Sequence, residues 1–372
     1  IASDARAASM GDMGVATSVD AYSQYWNPSK YVFSENKSGF GLSYTPYLSK
    51  LVNDISLGNL TYFNRINERS AFAVSLRYFS LGEIEIIQDE FSQALIEKPN
   101  EMTMDISYSL RLADEFSMGV ALRYLRSDLR IQAVDETAKA ASSFAVDLSA
   151  YYQGEEQSFG DIDGRIRGGA IIQNLGPKIK YDESGSETFI PTNLKLGGGF
   201  DFLLDQYNTV SVTAEVSKML VPTPPILGRE YNYSDINENG VYDDGVDELG
   251  ELVSTDNIIY QGQSTDVDFM SGIFQSFSDA PGGFNEELKE FTWALGAEYK
   301  YDDSFALRAG YFNESEEKGA RKFLALGAGF KFSGTKVDLS YLFSASKVPS
   351  PLENTLRFSL TFDFGSNQYL EY

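Results

Sequence analysis

The sequence predicts an all-β chain, and more narrowly a 14-stranded antiparallel transmembrane β-barrel of the outer-membrane kind. Three observations carry this expectation. Gly, Phe and Tyr are abundant, at 32, 26 and 23 of 372 residues. Segments of roughly 9 to 11 residues, the length of a tilted membrane strand, alternate apolar and polar side chains. The connections between those segments are by turns short and long, as periplasmic turns and outer loops are. No run of eighteen apolar residues without charge occurs, so no membrane helix is expected. A barrel needs none, because it carries its hydrophobicity on every second residue.

Composition narrows the function classes. Acids outnumber bases 54 to 30, for a net charge of -24, and there is no His or Cys. A binder of phosphate backbones running on a basic surface is excluded, so no nucleic-acid partner is expected. Thiol chemistry, imidazole acid-base chemistry and most transition-metal sites go with the missing residues. So many aromatics also exclude a disordered or collagen-like chain. A start at Ile1 without Met fits a processed, mature form.

In chain order, residues 1–38 come first and do not alternate. They hold a short helix expected around Ala5 to Met10 and a turn at Asn27-Pro28. Tyr22, Tyr25, Trp26, Tyr31 and Phe33 are too aromatic for a free leader, so the segment is expected to pack inside or beneath the barrel. Residues 39–364 form the barrel. Its strands are expected near 39–47, 54–64, 70–80, 102–112, 116–126, 143–152, 161–173, 192–203, 208–218, 291–301, 304–312, 323–332, 336–345 and 354–364. Residues 365–372 form a C-terminal tail.

The alternation is clearest in the later strands. Trp293, Leu295, Ala297 and Tyr299 share one face, with Ala294, Gly296 and Glu298 on the other. Phe305, Leu307, Ala309 and Tyr311 oppose Ala306, Arg308 and Gly310 in the same way. A soluble sandwich also alternates. What favours the barrel is that the polar faces mix small residues with both signs of charge, as a filled lumen would. Arg77, Arg123, Arg165, Arg167, Arg308 and Arg357 lie beside Asp105, Asp147, Asp201, Glu215, Glu298 and Asp338. Ion pairing within the lumen is the plain reading of this set, and capture of an anion or acyl carboxylate is the alternative. Apolar faces that end in Tyr, Phe or Trp match interfacial girdles.

The longest connection, 219–290, holds fifteen acids and two bases. Pro222, Pro224 and Pro225 keep its start out of a ladder. A helix is expected near Val267 to Phe277, with Phe269, Ile273, Phe274 and Phe277 as candidate partner-binding residues on a lid or docking surface. Within it, DINENGVYDDGVDE has calcium-loop spacing: Asp235, Asn237, Asn239, the Val241 carbonyl, Asp243 and then Asp247. Hard oxygens at alternating positions let a tight turn wrap one Ca2+. Val246 stands at the twelfth position, so the usual carboxylate is displaced, and a solvated acidic turn is the competing reading. Calcium here would staple the loop. No cofactor is required, and Gly197-Gly198-Gly199 lacks the helix and Lys of a phosphate loop.

Three stretches, 4–33 (DARAASMGDMGVATSVDAYSQYWNPSKYVF), 190–200 (IPTNLKLGGGF) and 306–330 (ALRAGYFNESEEKGARKFLALGAGF), resemble the PorV family of the type IX secretion system of Bacteroidota. The resemblance runs almost end to end, and the first stretch is the most specific. It implies a barrel similar to the fatty-acid-transporter class, in the Gram-negative outer membrane with long loops facing outward. It implies a cargo shuttle whose partners are the SprA/Sov-type translocon barrel, the C-terminal signal domains of secreted proteins, the surface attachment complex and outer-membrane lipid. Some relatives carry a lipid A deacylase label, but no catalytic set is evident here and a familiar esterase triad cannot form without His. The expectation is therefore a non-enzymatic shuttle. The alternatives are a transporter of hydrophobic or lipid-like small molecules, and an outer-membrane hydrolase.

Overall fold

The fold, seen in a computed structural model, is described for residues 2–48, 52, 54–87, 94–130, 139–181, 187–234, 236, 246, 248–346, 353 and 355–366. Fourteen strands make the wall: β1 Asn36–Pro46, β2 Ile55–Arg65, β3 Ser70–Leu81, β4 Asn100–Ala113, β5 Phe116–Asp128, β6 Ala141–Gln153, β7 Ile162–Leu175, β8 Asn193–Leu203, β9 Asn208–Met219, β10 Phe291–Tyr301, β11 Phe305–Asn313, β12 Lys322–Phe332, β13 Thr335–Ser344 and β14 Leu356–Ser366. Their ends lie within three residues of those expected from alternation. Each pairs antiparallel with its neighbours in sequence, and β14 returns to β1 with Phe362 opposite Phe40. Closure leaves no open edge, which hydrocarbon would not tolerate.

The period of two decides which side chains meet lipid. Along β10 and β11, Trp293, Leu295 and Leu307 are exposed while Ala294, Glu298, Ala306 and Arg308 are buried. Leu324, Leu326 and Phe330 continue the outer face on β12. Trp293 and Tyr311 pack side by side, ring centroids 5.5 Å apart, near the end that carries the long connections. Phe330 and Phe332 mark the other end. This outward apolar wall makes the protein an outer-membrane barrel.

At the short-turn end, Ser333 and Gly334 join β12 to β13 with φ of 47° and 82°. Both central residues are left-handed, the geometry that matches strand twist in a two-residue hairpin, and Gly adopts it freely. A three-residue strand, Gln157–Phe159, folds back on the start of β7 at this end. Residues at the opposite end form a second small hairpin, Ile84–Ile86 with Leu95–Glu97.

Inside the wall lie α1 (Ala5–Ser9), α2 (Ser23–Trp26) and a 3-10 turn at Pro28–Phe33. Asp4 caps α1 by accepting from the Ala7 amide at 2.8 Å. Asn27 starts the 3-10 turn by accepting from the Ser29 amide, with Pro28 behind it.

Residues Leu220–Lys289 form a separate compact unit. It contains a two-stranded ribbon, Ile226–Ser234 with Glu248–Gln261, then α3 (Phe269–Gln275) and α4 (Phe284–Lys289). Asp268 caps α3, accepting from the amides of Met270 and Ser271 at 3.0 and 3.1 Å. The ribbon differs from the loop expected for this stretch. Its flanking prolines and its acid content conceal two strands whose pairing is broken by repeated register shifts.

Candidate functional site

The lumen is filled by residues 2–34. α1 packs on β11 to β14, and the 3-10 turn packs on β2 to β6, so the segment reaches both sides of the wall. Met13, Val15, Ala16 and Tyr31 are wholly buried. Strand glycines let the plug backbone touch the wall. A Cβ on Gly310 of β11 would overlap the Met10 carbonyl carbon and the Gly11 amide, and one on Gly169 of β7 would overlap the Val15 carbonyl. Tyr22 places its hydroxyl 2.8 Å from the Leu42 carbonyl and 2.6 Å from that of Leu360, which bridges β1 and β14 where the barrel closes.

Charge holds the plug in register. Arg6 donates through Nε and Nη2 to Glu298 on β10 at 3.0 and 2.9 Å, and through Nη1 to Asp20 at 2.8 Å. Arg308 donates to the same Glu298 at 2.5 Å and to Asp338 at 2.7 Å. Arg357 donates to Asp12 at 2.9 Å. Glu215 accepts from the amides of Gly14 and Val15, both at 2.9 Å, with Lys195 3.7 Å away. Arg167 forks onto Asp201 at 2.9 and 2.7 Å and also donates to the Ala16 carbonyl. Nearer the long-loop end, Arg123 joins Asp105 at 2.5 Å, Asp147 at 3.0 Å and the Asn174 side chain. Arg77 lies over the Tyr25 ring, 4.1 Å from its centroid. Arg165 sits apart, pairing with Glu156 at the short-turn end.

These twelve side chains were expected together on the lumen face. What their sequence positions did not reveal is the plug's own set: Asp4, Arg6, Asp12, Asp20 and Lys30. Burial and the nearby Asp20 hold the Asp4 carboxyl above its usual range, despite bonds from Ala7 and Trp26. Asp20 is held low by Arg6 and then Lys30, although burial works against it. Burial pulls Lys30 down to about 8, with Asp20 opposing. Its Nζ donates to the Gly14 carbonyl at 2.7 Å and to Thr17 at 3.2 Å. Carboxylates and carbonyls engage most of the lumen guanidinium groups, although Arg308 Nη2 and Arg357 Nε and Nη2 keep no hydrogen-bond partner among the described residues. This is an arrangement that locks a segment in place rather than one poised to move protons or attack a bond.

The plug stops short of one end. A cavity of about 330 Å3 lies at the short-turn end, beneath residues 18–22 and 33–36. The candidate calcium ligands Asp235, Asn237, Asn239, Val241, Asp243 and Asp247 lie outside the described residues. Among the described residues, no group of three or more acidic side chains is arranged to hold a metal ion. Of the candidate partner residues, Ile273 is buried and Phe269 half-buried, whereas Phe274 and Phe277 are exposed. Ile273 is thus the least accessible of the four.

A family model described as type IX secretion system protein PorV matches residues 1–226. Among solved structures, the chain is similar to the CymD monoaromatic hydrocarbon channel, with 12% identity, 99% of each chain covered and a TM-score of 0.50. It is similar also to the Pseudomonas putida toluene transporter TodX, with 10% identity over 97% of this chain and 96% of the other, at a TM-score of 0.50. A Pseudomonas aeruginosa FadL homologue covers 98% of this chain and 99% of its own at 12% identity, with a TM-score of 0.47. A search of curated proteins gave no match.

Proposed function

The chain belongs to the PorV family of type IX secretion system proteins, and from that premise we propose that it works as a cargo shuttle rather than as a conduit. In this reading it binds the C-terminal signal domains of secreted proteins at the SprA/Sov-type translocon and hands the cargo to the surface attachment complex. The observation that supports it is the plug. A lumen filled from α1 to the 3-10 turn, with its backbone pressed against strand glycines, has no bore for a folded or unfolded polypeptide. What such a barrel offers to a protein partner is its outer wall and its long loops. The exposed Phe274 and Phe277 of the acidic unit are the contacts we assign to partner binding.

A native detergent pull-down with the full chain as bait tests this. Recovery of a giant translocon barrel together with proteins sharing one C-terminal domain supports the shuttle, and shortening residues 225–288 asks whether the acidic unit holds either partner. A folded barrel that retains only lipid refutes it.

A second reading is passage of hydrophobic small molecules. It is favoured by the barrel's likeness to two proteins whose own names state such transport, CymD and TodX. At 10 and 12% identity that likeness is one of fold. Charged side chains line the remaining cavity, so a hydrocarbon would need a path that avoids it. Faster entry of toluene into proteoliposomes carrying the protein than into empty ones would favour this reading. Equal entry would remove it.

A further inference from the structure

The acidic unit, Leu220–Lys289, leaves apolar side chains exposed on each of its elements. A surface helix ordinarily buries its apolar stripe. In α3, Gly272, Ile273 and Ser276 are buried, yet Met270 and Phe274, one turn apart, are 45% and 70% exposed. The same holds in α4. Glu287 is buried and accepts from the Ala280 amide at 2.8 Å, while Phe284 and Leu288 are 75% and 53% exposed. Neither stripe belongs to a loose end, for Asp268 caps α3 and Gln275 Nε2 ties it to the Ser264 carbonyl at 2.8 Å. The ribbon is uncovered as well. Ile258, Ile259 and Tyr260 follow one another and are all exposed. Neighbours along a strand point to opposite faces, so both faces are open at this end. A two-stranded ribbon is marginal in water unless something packs on it.

Charge decides what suits these surfaces. Residues 219–290 hold fifteen acids against two bases, and Asp266 and Asp268, at the start of α3, are exposed. A second copy of the chain would bring the same excess of acid to the contact, and like charges set against each other reject a partner. The phosphates of a Gram-negative outer leaflet would be repelled in the same way. A protein that carries lysine and arginine around an apolar face answers both features. Its charge would steer the encounter, and its apolar side chains would supply the contact.

Resting on the assignment of this unit to partner binding, we propose that its partner is a cationic protein segment whose apolar side chains meet the exposed stripes of α3 and α4. Met270 with Phe274, and Phe284 with Leu288, are the anchors on this side. The acids around them select for the sign of the partner's charge, so a neutral or acidic protein with an equally apolar face is turned away.

Photo-cross-linking in living cells tests this on the full chain. Benzoylphenylalanine replaces Phe274 or Phe284, and the attached peptides are identified by mass spectrometry, so that the readout is the charge of the captured segment. The expected result is adducts in protein segments of net positive charge. Met270→Ser should cut the yield at 274 about tenfold, and Leu288→Ser the yield at 284 likewise. Ile66, exposed in a short turn at the other end of the barrel, is the control position, and adducts there should show no bias of charge. Adducts in neutral or acidic segments overturn the proposal. So do adducts to lipid alone, no adducts at all, an equal bias at Ile66, or yields that neither serine variant changes. Hydrogen exchange across each helix reports its folding, and if one variant fails that check the other pair carries the test. Cationic segments from proteins that are neither translocon nor secreted cargo would uphold this proposal and refute the shuttle. Neutral segments of those same two partners would do the opposite.

Discussion

Replacing Glu298 by Gln should unlatch the plug while leaving the wall closed. Glu298 is 1% exposed and holds two guanidinium groups, Arg6 from the plug and Arg308 from β11. Gln keeps the shape and removes the charge. Arg6 then retains Asp20 and Ser18, and Arg308 retains Asp338. Removing one partner of a buried pair costs about 3–5 kcal/mol, because the surviving charge stays desolvated. Since Arg6 is one of the charged links between plug and wall, much of that cost should fall on plug docking. Its opening should become on the order of a hundred- to a thousandfold more frequent. Hydrogen exchange read by mass spectrometry should show residues 4–20 losing protection by about that factor while β4 to β6 keep theirs. In planar bilayers, the parent should stay closed and the variant should show brief openings. An Arg6→Met/Glu298→Met double variant, which removes both charges, should recover much of the protection. Unchanged exchange at residues 4–20 would refute the latch, and so would equal loosening of plug and wall.

Other outcomes follow from the same geometry. Gly310→Val should expel the plug and lower the temperature at which the barrel loses its compact electrophoretic form, because a side chain there overlaps Met10 and Gly11. Gly168→Ala is its control, with only the Tyr152 Cβ within 4 Å, at 3.9 Å, and should leave that temperature within a few degrees. Lys30 titrates near 8 in the fold, down from 10.5. Its charged form therefore penalises the fold fully below pH 8, and the penalty fades as pH rises towards 10.5. Thermal stability should gain on the order of 2–3 kcal/mol across that window, and a Lys30→Met variant should lack the gain. Calcium in the millimolar range should slow protease cleavage within 235–247, and Asp235→Ala/Asp243→Ala should abolish that protection. Cleavage rates indifferent to calcium would leave the acidic turn solvated.

The wall was legible because lipid on one side and a polar filling on the other impose a strict period of two on each strand. Segments such as Phe305–Asn313 and Lys322–Phe332 therefore declare themselves. The lumen charges were legible for the same reason, as polar residues on the inward positions. Their pairing was not. Arg6 meets Glu298 across 292 positions, and nothing near either residue in sequence points to the other. The helix near Phe269 could be found from its apolar content and from Asp268 ahead of it. The ribbon at Ile226–Ser234 and Glu248–Gln261 could not, since strands whose pairing is broken by repeated register shifts carry no steady period of two. Gly169 and Gly310 could be read only as small residues on a polar face. Their purpose depends on a backbone that arrives from the other end of the chain.

That distance bears on how the protein is made. The Ala5 amide bonds to Ser359 and Asp12 pairs with Arg357, both on β14, while Tyr22 bridges β14 and β1. Part of what seats the first residues of the chain is thus missing until the last strand is in place. Contacts of such sequence separation form late. Docking of the plug would then close the assembly sequence and register that the barrel is complete. A chain stalled before β14 would leave Ala5 and Asp12 without their bonds to Ser359 and Arg357, while the aromatics of the 3-10 turn could already rest on β2 to β6.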